Sequence, residues 1–265
     1  MPGMEGKTAL VCGVSNGRSI SWGIAKAMHE AGAEVALSYG PSMEKRVRPL
    51  AESIGSDFVE PCDVTDDEEI ATLFAKLKDR FGTIDALAHG VVGAKRDDLA
   101  RDFIDTSRDG FLFAHEISVY SLVALTRAAI PLMPNGGSVV TLTYYGSVKM
   151  MPSYNVMGVA KAALEATVRY LASDVGPKGV RVNAISAGPV RTLSAAGVGE
   201  FRYLHRVFPD VTPMRRHISI EDVGASAAFL ASDAAANISG QVLYVDGGFN
   251  TLGMAVPPED AAAAD

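Results

Sequence analysis

The sequence predicts an α/β fold, a doubly wound seven-stranded parallel sheet with helices on both faces, in a single domain. Three observations carry this expectation. Short apolar runs alternate with segments of helical period along the chain. The first run ends in a loop rich in Gly, Ser and Asn that opens the first helical segment. No linker-like composition divides the chain, so residues 1–255 read as one unit and the low-complexity stretch 256–265 as a loose tail. Strands joined through helices in this way form a parallel sheet with right-handed crossovers.

The elements follow in order. Residues 8–12 make a first strand, and 22–31 the helix after the glycine-rich loop. Residues 34–38 and the charged segment 43–54 form the second strand and helix, and 57–61 a third strand. In 67–81, Ile70, Leu73, Phe74 and Leu77 recur at helical spacing. A fourth strand is expected at 84–89, a mostly helical stretch at 103–133, and a fifth strand at 138–143. Residues 154–175 read as a long helix, 180–185 as a sixth strand and 241–245 as a seventh.

Bulk properties narrow the function. The 265 residues are 48% hydrophobic and 21% charged, enough apolar material for a sizeable core. The net charge of −7, with no basic stripe, argues against nucleic acid as a partner. No segment approaches the ~20 apolar residues of a membrane span, and the start M-P-G-M-E-G-K-T-A-L-V-C reads as a first strand rather than a secretory leader. Cys12 and Cys62 suit buried free thiols in a reducing compartment, so a cytoplasmic location is expected. The histidines at 29, 89, 115, 205 and 217 lack ligand spacing, and no metal is expected. His115 and Glu116 are expected to pack or to meet a partner subunit.

The loop G-V-S-N-G-R-S-I-S-W-G, from Gly13 to Gly23, follows a strand and opens a helix. That is the setting in which glycine lets backbone approach a pyrophosphate and a helix N-terminus faces its charge. A Rossmann-type sheet binds its ligand outside the carboxyl ends of its strands. Here those ends carry Gly40, Asp63-Val64, Gly90 and Tyr144. Asp63 could meet an adenine amino group with Val64 against the ring; its other reading is a helix cap, a role open equally to Asp66. The second strand ends in Gly40-Pro41-Ser42, which carries neither the acid that favours NAD nor the base that favours NADP. NADH is the expected cofactor, with NADPH as the alternative.

In S-Y-N-V-M-G-V-A-K, Tyr154 and Lys161 stand seven residues apart. On a helix that is about two turns, ~10.5 Å of rise, on nearly one face, so both side chains reach a ligand lying along it. Many dinucleotide enzymes place the pair four apart, which would put tyrosine at 157; this chain has Met157 there. The serine such enzymes carry thirteen residues earlier would be at 144, and here it is Tyr144. The ordinary alternative, a packed Tyr154 and a solvated Lys161, leaves this coincidence unexplained.

Four stretches carry a family resemblance: G-V-S-N-G-R-S-I-S-W-G-I-A-K-A, Y-N-V-M-G-V-A-K-A-A-L-E-A, V-R-V-N-A-I-S-A-G-P-V-R-T-L and I-S-G-Q-V-L-Y-V-D-G-G-F. Spread over nearly the whole chain, they resemble the bacterial enoyl-acyl carrier protein reductases of the short-chain dehydrogenase/reductase superfamily. The resemblance implies NADH-dependent reduction of the trans-2 double bond of an enoyl thioester in fatty-acid elongation, with acyl carrier protein as carrier. It implies that Tyr154 stabilises the enolate, that Lys161 holds the nicotinamide ribose, and that Tyr144 borders the substrate. Gly13, Ser19, Ile20, Gly40, Asp63, Val64, Gly90, Val190 and Thr192 would contact the cofactor. Val92, Ala94 and Met157 would join Tyr144 and Tyr154 beside the substrate. The resemblance further implies a homotetramer and a substrate lid over about 191–210, where Phe201, Leu204 and Phe208 also suit a plain surface helix.

The shifted tyrosine suits conjugate reduction. Hydride arrives two carbons from the thioester oxygen, so the phenol must stand farther from the accepting carbon than in a ketone reductase. One departure concerns H-G-V-V-G-A, where Val92 stands at the place expected for glycine. If that position needs positive φ, a β-branched residue resists it, and Gly93 would take the role. Three rivals remain at this stage: a short-chain enzyme acting on a hydroxyl or ketone, a paralogue using other enoyl thioesters, and a non-catalytic dinucleotide-binding regulator.

Overall fold

The computed structural model describes residues 3–193, 195 and 199–254. Its strands are β1 (Thr8–Cys12), β2 (Glu34–Tyr39), β3 (Val59–Pro61), β4 (Ala86–His89), β5 (Gly137–Thr143), β6 (Val180–Ala187) and β7 (Val242–Val245). They form one parallel sheet in the order β3-β2-β1-β4-β5-β6-β7. The helices are α1 (Ile20–Glu30), α2 (Glu44–Ser53), α3 (Asp67–Phe81), α4 (Arg96–Ala100), α5 (Arg108–His115), α6 (Ser121–Ala129), α7 (Asn155–Val175), α8 (Phe201–Val211) and α9 (Ile220–Ala231).

Alternate residues of each strand feed two cores. Ala9 and Val11 of β1 join Ile24 and Met28 of α1, and Val223 and Ala227 of α9, on one face. Leu10 and Cys12 join Leu73 of α3, Leu125 of α6 and Leu164 of α7 on the other. Sheets covered on both faces read as continuous apolar runs, which is why short strands such as T-A-L-V-C were legible. Most expected bounds hold to within two residues. The helical stretch 103–133 resolves into α5 and α6 joined by a π-helical turn, Glu116–Tyr120, with short 3₁₀ turns at both ends.

Two helices have no counterpart among the elements expected from the sequence, the five-residue α4 and the longer α9. Ser219 and Asp222 form a capping box that starts α9. Helices α9 and α1 then cross with their backbones in contact. A Cβ on Gly224 would lie 2.3 Å from the Gly23 carbonyl oxygen, and one on Gly23 would lie 2.4 Å from that of Ile220. That pair of glycines fixes α1, and with it the loop after β1.

The strand order reverses between β1 and β4, and the crevice opens there. The Gly90 amide donates to the Cys12 carbonyl at 3.1 Å. Gly13, at φ +86°, lies so close that a Cβ would approach the Gly90 carbonyl oxygen to 2.5 Å. Glycine is therefore required at 13 by its neighbouring strand, before any ligand is considered.

Candidate active site

A cavity of about 470 Å³ opens over the carboxyl ends of β1, β4, β5 and β6. It is lined by Ser19 and Ile20 at the start of α1, by residues 90–94 after β4, and by Tyr144 after β5. Tyr154, Met157 and Lys161 form a wall, and Val190 and Thr192 close the end beyond β6. Most of the residues expected at the site thus meet in one place. Gly13 lies against Gly90, outside the cavity lining, while Gly40, Asp63 and Val64 stand at the ends of β2 and β3, also outside the cavity but on the same edge of the sheet.

Ser19 is the N-cap of α1. Its hydroxyl accepts from the Trp22 amide at 3.3 Å and donates to the Asn16 carbonyl at 2.8 Å. Its side chain is thus engaged in shaping the loop. Of the two acids after β3, Asp66 caps α3, accepting from the amides of Glu68 and Glu69. Asp63 instead closes a turn, accepting from the Thr65 amide and hydroxyl at 2.9 and 2.7 Å.

Tyr154 immediately precedes α7 rather than lying within it. The residues on either side, Ser153 (φ 57°) and Asn155 (φ 38°), both have positive φ, and Asn155 Nδ2 ties the bend to the carbonyls of Leu99 and Arg101. Such conformations cost energy and persist where surrounding structure holds them. The two-turn, one-face geometry expected for Tyr154 and Lys161 is therefore corrected: a strained bend sets the phenol, and the helix carries only the lysine. The Tyr154 ring lies over Gly146, where a Cβ would come within 2.6 Å of it. It meets Tyr144 edge-on, with ring centroids 4.9 Å apart.

Burial and the neighbouring Tyr144 push the Tyr154 phenol far above its ordinary range, and burial pushes Tyr144 up to about 12. Both are hydrogen-bond donors at neutral pH. Lys161 is only 5% exposed, which rules out a solvated lysine. Burial lowers its pKa to about 8, against the opposing pull of the Glu165 carboxylate. Its Nζ donates to the Leu142 carbonyl at 2.8 Å, which leaves two of its three N–H donors for a ligand.

The loop after β4 requires a second correction. Val92 does not have positive φ, and neither do Gly90 and Gly93. Val92 sits unstrained at the cavity edge, 39% exposed. Gly93 fits closely: a Cβ there would lie 3.0 Å from the Ile117 side chain, which would have to give by a few tenths of an ångström. Ile117 belongs to the π-helical turn, whose extra residue also brings Ser118 against the loop, accepting from the Gly93 amide at 3.2 Å. Such turns recur at functional sites.

His89, at the end of β4, anchors the same region. Its Nδ1 lies 2.8 Å from Thr141 Oγ1 and its Nε2 2.8 Å from Ser121 Oγ. Because Ser121 donates to the Ile117 carbonyl, it accepts from Nε2–H, and Thr141 donates to Nδ1. Burial, with the Lys161 charge adding to it, lowers His89 to about 3. The sequence reading treated this histidine as unremarkable and missed Glu165 altogether. The signal for Glu165 was its position four residues after Lys161; nothing local marked His89.

Over the cavity lies α8, with Phe201 and Leu204 facing inward and Phe208 buried beneath. The residues named in the lid and the packing expectations thus lie on one helix; residues 194 and 196–198 of that stretch, and the tail 256–265, lie outside the described residues. His205 stacks on His217, with ring centroids 4.0 Å apart. Among the described residues no metal-binding group of three or more His, Cys, Asp or Glu occurs, and no helix is long and apolar enough to cross a membrane.

A glycine-rich start, a reversal of strand order beside it, and a buried Tyr–Lys wall define a dinucleotide-dependent reductase of the short-chain dehydrogenase/reductase class. A family model described as enoyl-(acyl carrier protein) reductase matches residues 13–250. The enoyl-[acyl-carrier-protein] reductase [NADH] 1 of Rhizobium meliloti is 51% identical over 252 residues, covering 95% of this chain and 93% of that protein. The NADH enzyme FabI of Bacillus cereus is 50% identical over 253 residues, covering 94% and 99%. Among solved structures, the Aquifex aeolicus enoyl-[acyl-carrier-protein] reductase (NADH) superposes with a TM-score of 0.92 at 50% identity, over 95% of this chain and 99% of that one. The Bacillus cereus enzyme with NADP+ and indole naphthyridinone gives 0.93 at 50%, over 96% and 100%. The chain belongs to the enoyl-acyl carrier protein reductase family.

Proposed function

We propose that this protein reduces the trans-2 double bond of enoyl thioesters carried by acyl carrier protein, using NADH, and that Tyr154, Lys161 and Tyr144 carry the reaction. The observation behind the assignment of roles is the composition of the wall. Tyr154 and Tyr144 meet edge-on and line one cavity with buried Lys161, while Met157, where a ketone reductase would place its phenol, is packed with Leu99 and Val156. The residues fit a reduced dinucleotide: the Gly13 turn and the Ser19-capped start of α1 suit its phosphates, and Lys161 keeps two donors for ribose hydroxyls. When bound, NADH supplies hydride for the β-carbon of the substrate. The neutral Tyr154 phenol donates to the thioester oxygen as negative charge develops there. Tyr144 closes off the other side of the phenol and orients the thioester. Phe201 and Leu204 provide an apolar roof for the acyl chain.

Gly40, Asp63 and Val64 are assigned to the adenosine end, Ile20, Gly90, Val190 and Thr192 to the nicotinamide end, and Val92 and Ala94 to the substrate side. Residues 1–255 are read as one domain with its lid at about 191–210. Exposed Leu112, Tyr120 and Tyr170, on α5, the π-helical turn and α7, support the homotetramer and its assembly through these helices. A cytoplasmic site of action fits this reading.

The test is oxidation of NADH by the purified protein with a short trans-2-enoyl thioester. Tyr154→Phe is expected to lower kcat by ~100-fold, the usual cost of one oxyanion donor. Lys161→Ala is expected to abolish saturable NADH use. Wild-type protein that binds NADH but turns over only ketones, or nothing, would sink the assignment in favour of its rivals.

A further inference from the structure

Helix α7 buries two opposite charges, Lys161 and Glu165, at 5% and 6% exposure. Four residues apart, they lie one turn from each other on the same face. Adjacent residues of β5 hold them: Leu142 accepts from Lys161 Nζ at 2.8 Å, and Thr143 Oγ1 donates to Glu165 Oε1 at 2.6 Å. Glu165 does not line the cavity, so it has no direct access to substrate or cofactor. A carboxylate taken out of water is costly unless it serves a paired charge.

We propose that Glu165 is a positioning residue, a buried anion that keeps the Lys161 ammonium charged and held against β5 while the reduced dinucleotide binds. The proposal rests on the reading of Lys161 as a ligand of the nicotinamide ribose. Desolvation alone drives Lys161 toward the neutral amine, and Glu165 opposes it. The groups packed around the pair supply no substitute. His89 on β4 is neutral, and any charge on it would repel Lys161. Tyr144 and Tyr154 keep their protons. Tyr244 on β7 is also held neutral, by burial first and then by Glu165, Tyr145 and Asp246. Asp246 itself is engaged by the Gly248 and Asn250 amides.

The experiment is the pH dependence of KM for NADH at saturating enoyl thioester, for wild type, Glu165→Gln and Lys161→Met. Gln keeps an acceptor for Thr143 and removes only the charge. In wild type KM should climb as pH passes about 8. In Glu165→Gln the climb should begin about one pH unit lower, the scale of a nearby charge acting on a buried group, with kcat within about twofold. At pH 6.5 the two proteins should share one KM. If Glu165→Gln does not fold, Glu165→Met serves: it removes the same charge at similar side-chain length and should move the climb in the same direction. Superimposable profiles, or a KM raised equally at every pH, overturn the proposal. A Lys161→Met enzyme with the wild-type KM and climb would instead overturn the reading of Lys161, so the two failures are distinguishable.

Discussion

His89 and His205 flank one cavity, and burial lowers the pKa of both. His89 joins three elements: its ring lies between Thr141 of β5 and Ser121 of α6, and its backbone belongs to β4. His205 is on α8, where its buried Nδ1 has no partner among the described residues and its ring rests on exposed His217. Each buried polar atom of the first is satisfied, whereas the second leaves one unpaid. The difference teaches where this molecule is held by hydrogen bonds. Lys161 and Glu165 of α7 and His89 of β4 are all tied to β5 by hydrogen bonds. Helix α8 rests on apolar contacts and starts at Glu200, which has φ 54°.

The largest expected effect comes from breaking the wall. His89→Leu removes both imidazole hydrogen bonds, at ~0.5–1.5 kcal/mol each, while Ser121 keeps the Ile117 carbonyl and Thr141 the backbone carbonyl of residue 89. We expect a loss of up to ~3 kcal/mol in total, a fall in Tm of up to about 9 °C for a chain of this size. A fall of 1 °C or less would show that His89 does not lock β4 to β5.

The same variant gives a second effect, which depends on pH. Folded His89 titrates near 3, below the 6.5 of an unfolded histidine. Between those values the unfolded chain binds a proton that the folded chain refuses, so acid destabilises the wild type by ~1.4 kcal/mol per pH unit. His89→Leu lacks this slope. The stability gap between the two proteins should therefore narrow as pH is lowered from 6.5 toward 5, read as converging denaturation midpoints. Parallel curves would mean that His89 is protonated in the fold.

The wall and α8 also differ in how far the sequence disclosed them. Tyr154, Lys161 and Tyr144 were legible because their spacing is a local property. The parallel sheet was legible because strands buried on both faces are apolar throughout. What stayed hidden depends on distant neighbours. Thr141 lies 52 residues from His89, and β4 must lie beside β5 before the pair exists. The close fit of glycine at 93 comes from Ile117 in a π-helical turn, which no periodicity announces. The strain around Tyr154 replaced the smooth helix that spacing suggested. Helix α9 was the exception, since its capping box and glycine were present in S-I-E-D-V-G and went unused.

The smallest effect is expected on α8, and it has the opposite sign. His205→Leu removes the unpartnered Nδ1 and places apolar surface near Phe201, to which the His205 ring is now tilted at 5.8 Å. We expect a gain of up to ~1 kcal/mol, the low end of what an unsatisfied buried group costs. The gain should be larger at pH 5 than at pH 8. Burial first, then His217 and Arg191, hold folded His205 below the usual histidine range, so the wild type loses stability as pH falls and the variant does not. Tm measured at the two pH values checks both statements. A loss comparable to that of His89→Leu would mean that His205 is a strut like its counterpart, and that α8 is as firmly fixed as the wall.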